Sequence, residues 1–358
     1  MDFKRSFKAM ALLMMGVASF TACDDDDDDL KQSSNGNVAY VLNEGSYGNN
    51  NTSISAIDFT DSTSYFFQFA AANGRNLGDT GQDILRYGGK IYIAVSGSNT
   101  IEVVDGNSLS SVKTIKPEAG KPGNPRGLAA SEGKVYVSLY DGYVAKIDTA
   151  SLTIVDSIAV GPNPEELAIA NGNLYVAVSD GLNYNAGYAN GKYVAKIGLD
   201  SFKVASKIDV IVNPCRMASD KSGNVFVISC GNYFDIPSTV QKIDKNDNVS
   251  VVGKATLMTC NENTLYTINA PYGAPTIEYV SYNTTSGSVE SSSFISGTAD
   301  EMPSNPTCVS VNPKNGNILI GSYATASDYL SNGYVFEYAA GAFKTKYSAG
   351  VGPRKIVY

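Results

Sequence analysis

The chain has 358 residues and an acidic balance, with 35 Asp and Glu against 27 Lys and Arg for a net charge of −8. No basic stripe interrupts that balance, which argues against a nucleic-acid-binding groove. The sequence contains no histidine, which excludes a Ser-His-Asp triad and an imidazole metal ligand. Its 34 glycines and 23 tyrosines, without long apolar runs of helical periodicity, indicate an all-β protein.

The N-terminal segment has the pattern of a secretory signal. Basic residues precede a short apolar stretch, and a small residue stands directly before Cys23. We therefore predict a lipoprotein signal peptide over residues 1–22 and lipidation of Cys23. The six consecutive aspartates at residues 24–29 repel one another, so residues 23–37 are predicted to form a solvated acidic tether. An ordinary signal peptide with a chance cysteine, followed by a plain spacer, is the simpler alternative.

The rest of the chain, residues 38–358, repeats one unit of short β-type runs. One full pass extends from Val135 to Pro164 and contains a Tyr-Val strand, an Ile-Asp strand and a glycine step to the next unit. A period of this size is the signature of a β-propeller. The second strand of each unit occurs seven times, at residues 38–41, 91–94, 135–137, 174–177, 225–228, 265–268 and 318–320. We therefore predict a seven-bladed β-propeller.

The other strands follow from the same pattern. Third strands are predicted at residues 101–104, 143–147, 193–197, 240–243, 277–280 and 334–338. Asn-Pro pairs precede four of the short first strands, at residues 124–125, 163–164, 213–214 and 305–306. The first unit begins directly at its second strand, whereas residues 352–358 form a first strand with nothing after it. We expect this last strand to complete blade one and close the ring, which removes the open sheet edge.

Four cysteines lie within the repeats. Cys215 and Cys230 fall on neighbouring antiparallel strands and are the most plausible disulfide pair in an exported protein. Cys260 and Cys308 complete the set. The alternative is that the thiols stay free and buried as small apolar groups. No Cys-x-x-Cys motif is present to build a zinc site, and we predict no metal.

Propeller geometry divides the loops between two faces. Because strands alternate in direction within a blade, the loops that enter each first strand share a face with the loops that join strands two and three. The latter are predicted at residues 43–52, 96–100, 139–143, 179–192, 229–239, 269–276 and 322–333. We call this side the loop face, since long loops on a rigid scaffold are where function tends to lie. The opposite face carries short polar turns.

The loops that join strands two and three are rich in aromatic and amide side chains. Tyrosine offers a large flat face with a hydroxyl at its rim, and asparagine offers a donor and an acceptor together. Such a set suits a broad, flat ligand rich in amides or hydroxyl groups, although each residue alone is an ordinary loop residue. The candidate ligand-binding residues are Tyr47, Asn49, Tyr140, Tyr184, Tyr188, Asn232, Tyr233, Phe234, Tyr272, Tyr323 and Tyr329.

Charged residues follow the loops that enter the first strands. The candidates at the mouth of the central channel are Arg126, Glu165, Arg216 and Arg354, with Glu166, Asp79 and Asp83 nearby. They could contact a ligand, or pair with each other and plug the channel. Glu165 and Glu166 are adjacent and would point to opposite faces of a strand, which argues against a paired acid–base site. No glycine-rich phosphate loop is present. We therefore expect a binding protein and not an enzyme.

The repeat resembles that of the YncE-like seven-bladed propellers. Tyr136-Val137, Ile147-Asp148 and residues 158–164 carry the resemblance, which extends over nearly all of the chain after the N-terminal segment. It implies the fold and leaves the function open, because propellers host many activities.

Propeller and N-terminal segment together are similar to the cobalamin-capturing surface lipoproteins of gut Bacteroidetes. Cys23 with residues 24–29, the segment 38–45 and the repeat carry this similarity, and the aspartates resemble the export signal of such lipoproteins. It implies capture of cobalamin or another corrinoid and delivery to a TonB-dependent outer-membrane transporter. It also implies a location on the outer membrane, lipid-anchored and facing the cell exterior, with no other membrane contact. No short motif fixes individual contact residues.

Corrinoid capture suits these loops, because a corrinoid is broad, flat and fringed with amides. Without histidine the chain offers no imidazole to cobalt, so recognition would depend on shape and hydrogen bonds. Three other functions stay open. Aromatic platforms would also bind glycans, although the chain has no tryptophan. The long loops could grip a protein partner in an outer-membrane uptake complex. A lyase or hydrolase on the same fold is the last alternative, and the absence of histidine disfavours it.

Overall fold

Twenty-eight β-strands in seven sheets of four form the framework of the protein in the computed structural model, which describes residues 37–358. The predicted signal peptide, Cys23 and residues 24–36 of the tether lie outside the described residues. Within this range the strands are interrupted by one short helix, α1 (Gln68–Asn73), and by two 3₁₀ turns, Tyr184–Ala186 and Ala299–Glu301. No helix of the described part is long and apolar enough to cross a bilayer.

Each sheet is one blade of four antiparallel strands, so the predicted seven-bladed all-β propeller is confirmed. Blade one begins with β1 (Val38–Asn43), β2 (Ser53–Asp58) and β3 (Thr63–Tyr65). Blade two contains β4 (Gly81–Tyr87), β5 (Lys90–Val95), β6 (Thr100–Asp105) and β7 (Ser111–Ile115). Blade three contains β8 (Pro125–Ser131), β9 (Lys134–Leu139), β10 (Tyr143–Asp148) and β11 (Thr153–Ala159). Blade four contains β12 (Pro164–Ala170), β13 (Asn173–Val178), β14 (Tyr193–Gly198) and β15 (Lys203–Asp209).

The remaining blades follow the same plan. Blade five contains β16 (Pro214–Ser219), β17 (Val225–Ser229), β18 (Thr239–Ile243) and β19 (Val249–Lys254). Blade six contains β20 (Leu257–Asn261), β21 (Thr264–Asn269), β22 (Glu278–Asn283) and β23 (Val289–Ser291). Blade seven contains β24 (Pro306–Val311), β25 (Ile318–Ser322), β26 (Tyr334–Ala339) and β27 (Ala342–Ser348). The last strand of the chain is β28 (Pro353–Val357).

The C-terminal strand closes the ring. β28 pairs antiparallel with β1, with Ile356 opposite Val41, and becomes the innermost strand of blade one. Ile356 also packs in an apolar cluster with Leu319 and Val335 of blade seven. The closure expected from the unpaired last strand is therefore confirmed, and blade one is completed by residues from both ends of the propeller.

Apolar side chains fill the spaces between neighbouring blades. Between blades two and three, Tyr92 and Ile101 lie in one cluster with Val135 and Val137, and all four are fully buried. Burial of each such side chain stabilises the fold by about 1.5–3 kcal/mol relative to leaving it exposed. Branched and aromatic residues suit the pleated surface of a strand, which is why these positions form sheets. The packed ring holds the loops of both faces in fixed positions.

Candidate functional site

A β-bulge follows the start of the innermost strand in six of the seven blades. In blade five Cys215 is the extra residue, because Pro214 and Arg216 pair with consecutive residues of β17. A bulge re-aims a side chain that the alternation of a regular strand would direct elsewhere. Blade six has no bulge between β20 and β21. The bulge residues that follow the first proline or glycine are Gln82, Arg126, Glu165, Cys215, Thr307 and Arg354.

Bulged side chains form a connected polar network across the channel mouth. Arg126 donates from Nε and Nη2 to Glu165, both at 3.1 Å, and from Nη1 to Gln82 at 2.9 Å. Gln82 donates to Glu44 at 2.8 Å, and Glu44 accepts from Arg354 at 3.1 Å. The fork geometry of Arg126 with Glu165 is the stronger, bidentate form of such a pair. Blades one to four are thereby linked at the channel mouth.

Two further ion pairs balance the charge. Arg216 donates to Glu166 at 3.1 Å, and Lys355 pairs with Asp83 at 2.5 Å. Four cations therefore meet four carboxylates at this end of the channel. The mutual pairing that the sequence left open is present in the structure. Asp79 lies apart and accepts a backbone hydrogen bond at 2.9 Å from the loop of blade one.

Burial and pairing shift the pKa values of these groups. Burial raises the pKa of Glu165 above its ordinary value, while Arg126 acts in the opposite direction. Burial also raises the pKa of Asp83 against the effect of Lys355. Burial alone would lower the pKa of Arg354. The surrounding carboxylates, of which Glu44 has the largest effect, raise this pKa overall. Removing one partner of such a pair would leave a poorly compensated charge.

A cavity of about 710 Å³, which we call the larger cavity, opens on the loop face beside this network. Its polar floor contains Gln82, Arg126, Glu165, Glu166, Arg216 and Arg354. Its outer wall comes from the loops of blades five and six. Blade six, which lacks the bulge, contributes the small residues Thr256 and Ala270. This volume and the mixture of apolar wall with a few polar groups are typical of small-molecule sites.

A disulfide joins Cys215 and Cys230, the more plausible of the alternatives that the sequence left open, and both residues line the larger cavity. It ties the bulge of β16 to the point where the loop of blade five leaves β17. Cys260 and Cys308 have free thiols. Burial raises the pKa of Cys308 to about 11, so this thiol stays protonated at neutral pH. Within residues 37–358 no cluster of three or more acidic or cysteine side chains could hold a metal ion.

Three aromatic side chains form the rim of the larger cavity. Tyr233, Phe234 and Tyr272 line it with exposed fractions of 76%, 94% and 95%. Tyr188 is buried and packs edge-on against Tyr233, with ring centroids 6.5 Å apart, so it supports the rim. The side-chain oxygen of Asn232 accepts hydrogen bonds from three backbone amides of its own loop. Asn232 therefore shapes the loop that presents two of the rim residues.

Other predicted residues lie beside the two ends of the network. Tyr140 packs over Arg126, with the guanidinium carbon 4.3 Å from the ring centroid. Tyr323 lines a second cavity of about 250 Å³, the smaller cavity, and Tyr329 packs edge-on against Tyr323 at 4.9 Å between centroids. The two cavities share Arg216 and Arg354 as walls. Tyr140, Tyr323 and Tyr329 thus surround the same channel mouth.

Three predicted residues lie apart from both cavities. Tyr47 and Tyr184 are exposed on the loops of blades one and four. Asn49 lines a separate crevice of about 180 Å³ beside Phe67 and Phe69. The structure therefore divides the predicted set: aromatic residues of blades five and six meet at one cavity, whereas these three do not reach it.

Sequence reasoning missed three residues at the channel mouth, namely Gln82, Glu44 and Lys355. Gln82 occupies the same bulge position as Arg126 and Arg354. Blade two begins with Thr80-Gly81 in place of Asn-Pro, which hid the equivalence. An alignment of the first strands at the residue after the initial proline or glycine would have identified it.

The carboxylates of Glu165 and Glu166 are placed differently from neighbouring side chains of a regular strand. Glu165 and Glu166 turn towards different neighbouring blades, as alternation predicts, and pair with Arg126 and Arg216 respectively. The bulge nevertheless brings both to the wall of one cavity. Both carboxylates are engaged by guanidinium groups.

The closed ring and its cavity define a β-propeller with a candidate ligand site on one face. The chain belongs to the DUF5074 family, a domain of unknown function, whose family model matches residues 37–349. A search of curated proteins found no match.

Solved structures show the same fold in distant proteins. A functionally unknown protein from Desulfotomaculum acetoxidans aligns with a TM-score of 0.60 at 12% identity, covering 90% of this chain and 98% of that one. The extracellular domain of a one component system from B. thetaiotaomicron gives 0.55 at 12% identity, with coverage of 86% and 44%. Hydrazine synthase from Kuenenia stuttgartiensis gives 0.52 at 14% identity, with coverage of 70% and 74%. At these identities the similarity shows the fold alone.

Proposed function

We propose that this protein captures cobalamin or another corrinoid in the larger cavity and passes it to a TonB-dependent outer-membrane transporter. The observation that carries the proposal is the pairing of an exposed aromatic rim with a polar floor in one cavity of about 710 Å³. Contiguous exposed apolar groups mark binding sites, so Phe234 and Tyr272, which are exposed and line the same cavity, are suited to contact a ligand.

The chemistry of the cavity matches a flat ligand fringed with amides. Tyr233 and Tyr272 offer ring faces for packing and hydroxyl groups for hydrogen bonds. Arg216 and Asn269 supply donors along the floor and wall. The absence of histidine from the chain means that cobalt would receive no imidazole from the protein. Affinity would therefore come from shape, packing and hydrogen bonds.

The proposal places the propeller at the cell surface, held by a lipid on Cys23. The acidic residues 24–29 would keep the tether solvated and extended. β1 runs from Val38 to Asn43 and then enters a loop of the loop face. The chain therefore enters the propeller on the opposite face, which leaves the larger cavity clear of the attachment point.

Pairing of the floor carboxylates supports binding over catalysis. Glu165 and Glu166 are both held by arginines, so neither is a free general base. Corrinoid capture is to be tested against three alternative functions: an enzyme, a glycan-binding protein and a protein-interaction scaffold.

Calorimetric titration of the full chain, purified in detergent, with cyanocobalamin tests the proposal. We expect one-to-one binding that is lost in the triple variant Tyr233→Ala/Phe234→Ala/Tyr272→Ala. The matched control is Tyr47→Ala/Tyr184→Ala, which removes exposed tyrosines of the same face outside both cavities and should bind as the wild type does. Absence of heat and of any change in the cobalamin spectrum would contradict corrinoid capture, and retardation in a glycan-containing gel would then favour sugars.

A further inference from the structure

The smaller cavity continues from the larger one around shared side chains. It has a volume of about 250 Å³ and lies between blades one, six and seven. Arg216, Thr256, Ala270 and Arg354 line both cavities. One ligand could therefore occupy both, with a bulky part in the larger cavity and a compact group in the smaller.

The smaller cavity is lined by hydrogen-bond donors that lack acceptors. Asn305 also lines the cavity, although its side-chain nitrogen is buried beneath the cavity surface and has no hydrogen-bond partner among residues 37–358. Arg216 donates from Nη1 to Glu166, and its Nε and Nη2 groups have no partner in the described part of the chain. Likewise, the hydroxyl of Tyr323 makes no hydrogen bond within that part. The side chains of Arg216 and Tyr323 are partly exposed, so these donors are free to bind an acceptor in the cavity.

The one carboxylate that the described residues supply to the same cavity is already engaged. Both carboxylate oxygens of Glu44 are engaged, Oε1 by Gln82 and Oε2 by Arg354. The hydroxyl of Thr307 donates to the backbone oxygen of Pro353. Two arginines line the wall, and each is already paired with one carboxylate, so the cavity offers free hydrogen-bond donors without an uncompensated charge. The cavity therefore suits a compact group with several acceptor oxygens.

We propose that the smaller cavity binds a phosphate ester group of the ligand whose flat part occupies the larger cavity. Phosphate presents several acceptor oxygens in different directions, and a guanidinium group can contact two of them at once. This inference rests on the proposed function, under which the group is the phosphodiester of the nucleotide tail of cobalamin. The base-less precursor without that phosphodiester would fill the larger cavity alone.

The test compares the dissociation constants of cyanocobalamin and the base-less precursor by calorimetry on the full chain. Asn305→Asp adds a negative charge, on a side chain of nearly the same shape, to the lining of the smaller cavity. We expect it to weaken cobalamin binding by about tenfold relative to the precursor, since like charges are placed together. Tyr323→Phe, which removes one hydroxyl, should weaken cobalamin binding relative to binding of the precursor by about threefold. The matched control is Asn269→Asp, which adds the same charge to the larger cavity and should affect both ligands equally.

The outcomes separate the two proposals. If both corrinoids bind but Asn305→Asp and Tyr323→Phe leave their ratio unchanged, the phosphate site is refuted and corrinoid capture stands. If the wild type binds neither corrinoid, the proposed function fails, and titration with inorganic phosphate decides the smaller cavity. A shift of the Asn305 side-chain amide resonance at millimolar phosphate would support it. No shift would overturn it.

Discussion

The two faces of the propeller are built on different principles. On the opposite face, a side-chain oxygen at the end of the third strand accepts hydrogen bonds from backbone amides two to four residues later, which is a common turn device. The residues in this role are Asp105, Asp148, Asp244 and Asn283. On the loop face the loops differ in length and conformation from blade to blade. Repetition specifies the scaffold, and departures from it create the cavity.

Blade six shows that lesson within the loop face itself. The other six blades each place a bulge at the channel mouth, and most of the bulged residues belong to the polar network. Blade six has no bulge and lines the larger cavity with Thr256 and Ala270. The space over the channel therefore opens on the side of blades five and six, where the rim residues lie.

Loss of the rim is the largest effect that we expect. The variant Tyr233→Ala/Phe234→Ala/Tyr272→Ala should weaken cobalamin binding roughly a hundredfold or more, because each ring supplies packing area at the centre of the contact. The Tm should stay unchanged, because the three side chains are largely exposed in the free protein. Calorimetry and thermal unfolding together measure this difference. A marked fall in Tm would show that the rim belongs to the scaffold.

Removal of the disulfide should affect scaffold and site together. Cys215 and Cys230 are 15 residues apart. In the chain-entropy model, a disulfide that closes a loop of that size stabilises the folded protein by about 3 kcal/mol. Urea unfolding of Cys215→Ser/Cys230→Ser should show a loss of this order. Because the bond anchors the loop that carries Tyr233, ligand affinity should fall by about tenfold. Cys260→Ser, which removes a free thiol, is the control and should retain wild-type affinity.

A turn on the opposite face should affect stability alone. Asp244→Ala removes the acceptor of two backbone amides in the turn between β18 and β19. We expect a small fall in Tm, with cobalamin affinity within about twofold of the wild type because the turn lies far from the cavity. A large loss of affinity would contradict the separation of the two faces.

The smallest predicted effect is a difference in pH dependence. Hydrogen bonds lower the pKa of Asp148, and the largest effect is that of the bond from Lys134. The ionised carboxylate therefore stabilises the fold above the ordinary pKa of 3.8, and this stabilisation is lost as pH falls through the lowered pKa. Burial raises the pKa of Glu165, so the contribution of this group to the stability of the fold is present below the ordinary pKa of 4.5. That contribution is lost as pH rises through the raised pKa. The measurement is the free energy of unfolding in urea at a series of pH values. Its fall at acid pH should be smaller in Asp148→Asn than in the wild type, and its fall above pH 4.5 should be smaller in Glu165→Gln. Identical profiles in both variants would refute these assignments.

Most of the fold follows from the sequence. The second strands are short apolar runs bounded by turn residues, so all seven could be counted directly. Six of the seven third strands were found in the same way, and the one of blade one, Ser53–Asp58, was missed. The third strand of blade six is shifted by a residue, from the predicted start at 277 to Glu278. Ring closure also follows, because a last strand without a partner and a first blade without an innermost strand complete each other.

The candidate site was less accessible to sequence reasoning. Aromatic content marked the right face, but it did not distinguish exposed Phe234 from buried Tyr188. Loop conformation decides this difference, and the conformation of Asn232 and its neighbours depends on local hydrogen bonds. The bulges insert one residue into strands that look regular in sequence, which is why the joint placement of Glu165 and Glu166 was not predicted.

The most direct test of the central claim is a crystal structure of the protein with cyanocobalamin, with cobalt located by anomalous scattering. We predict a single cobalt peak over the larger cavity, with the corrin ring in contact with Tyr233, Phe234 and Tyr272. A cobalt peak on the opposite face, or over the loops of blades one to four, would contradict the assignment of the site. No peak from crystals grown at saturating ligand would contradict corrinoid capture itself.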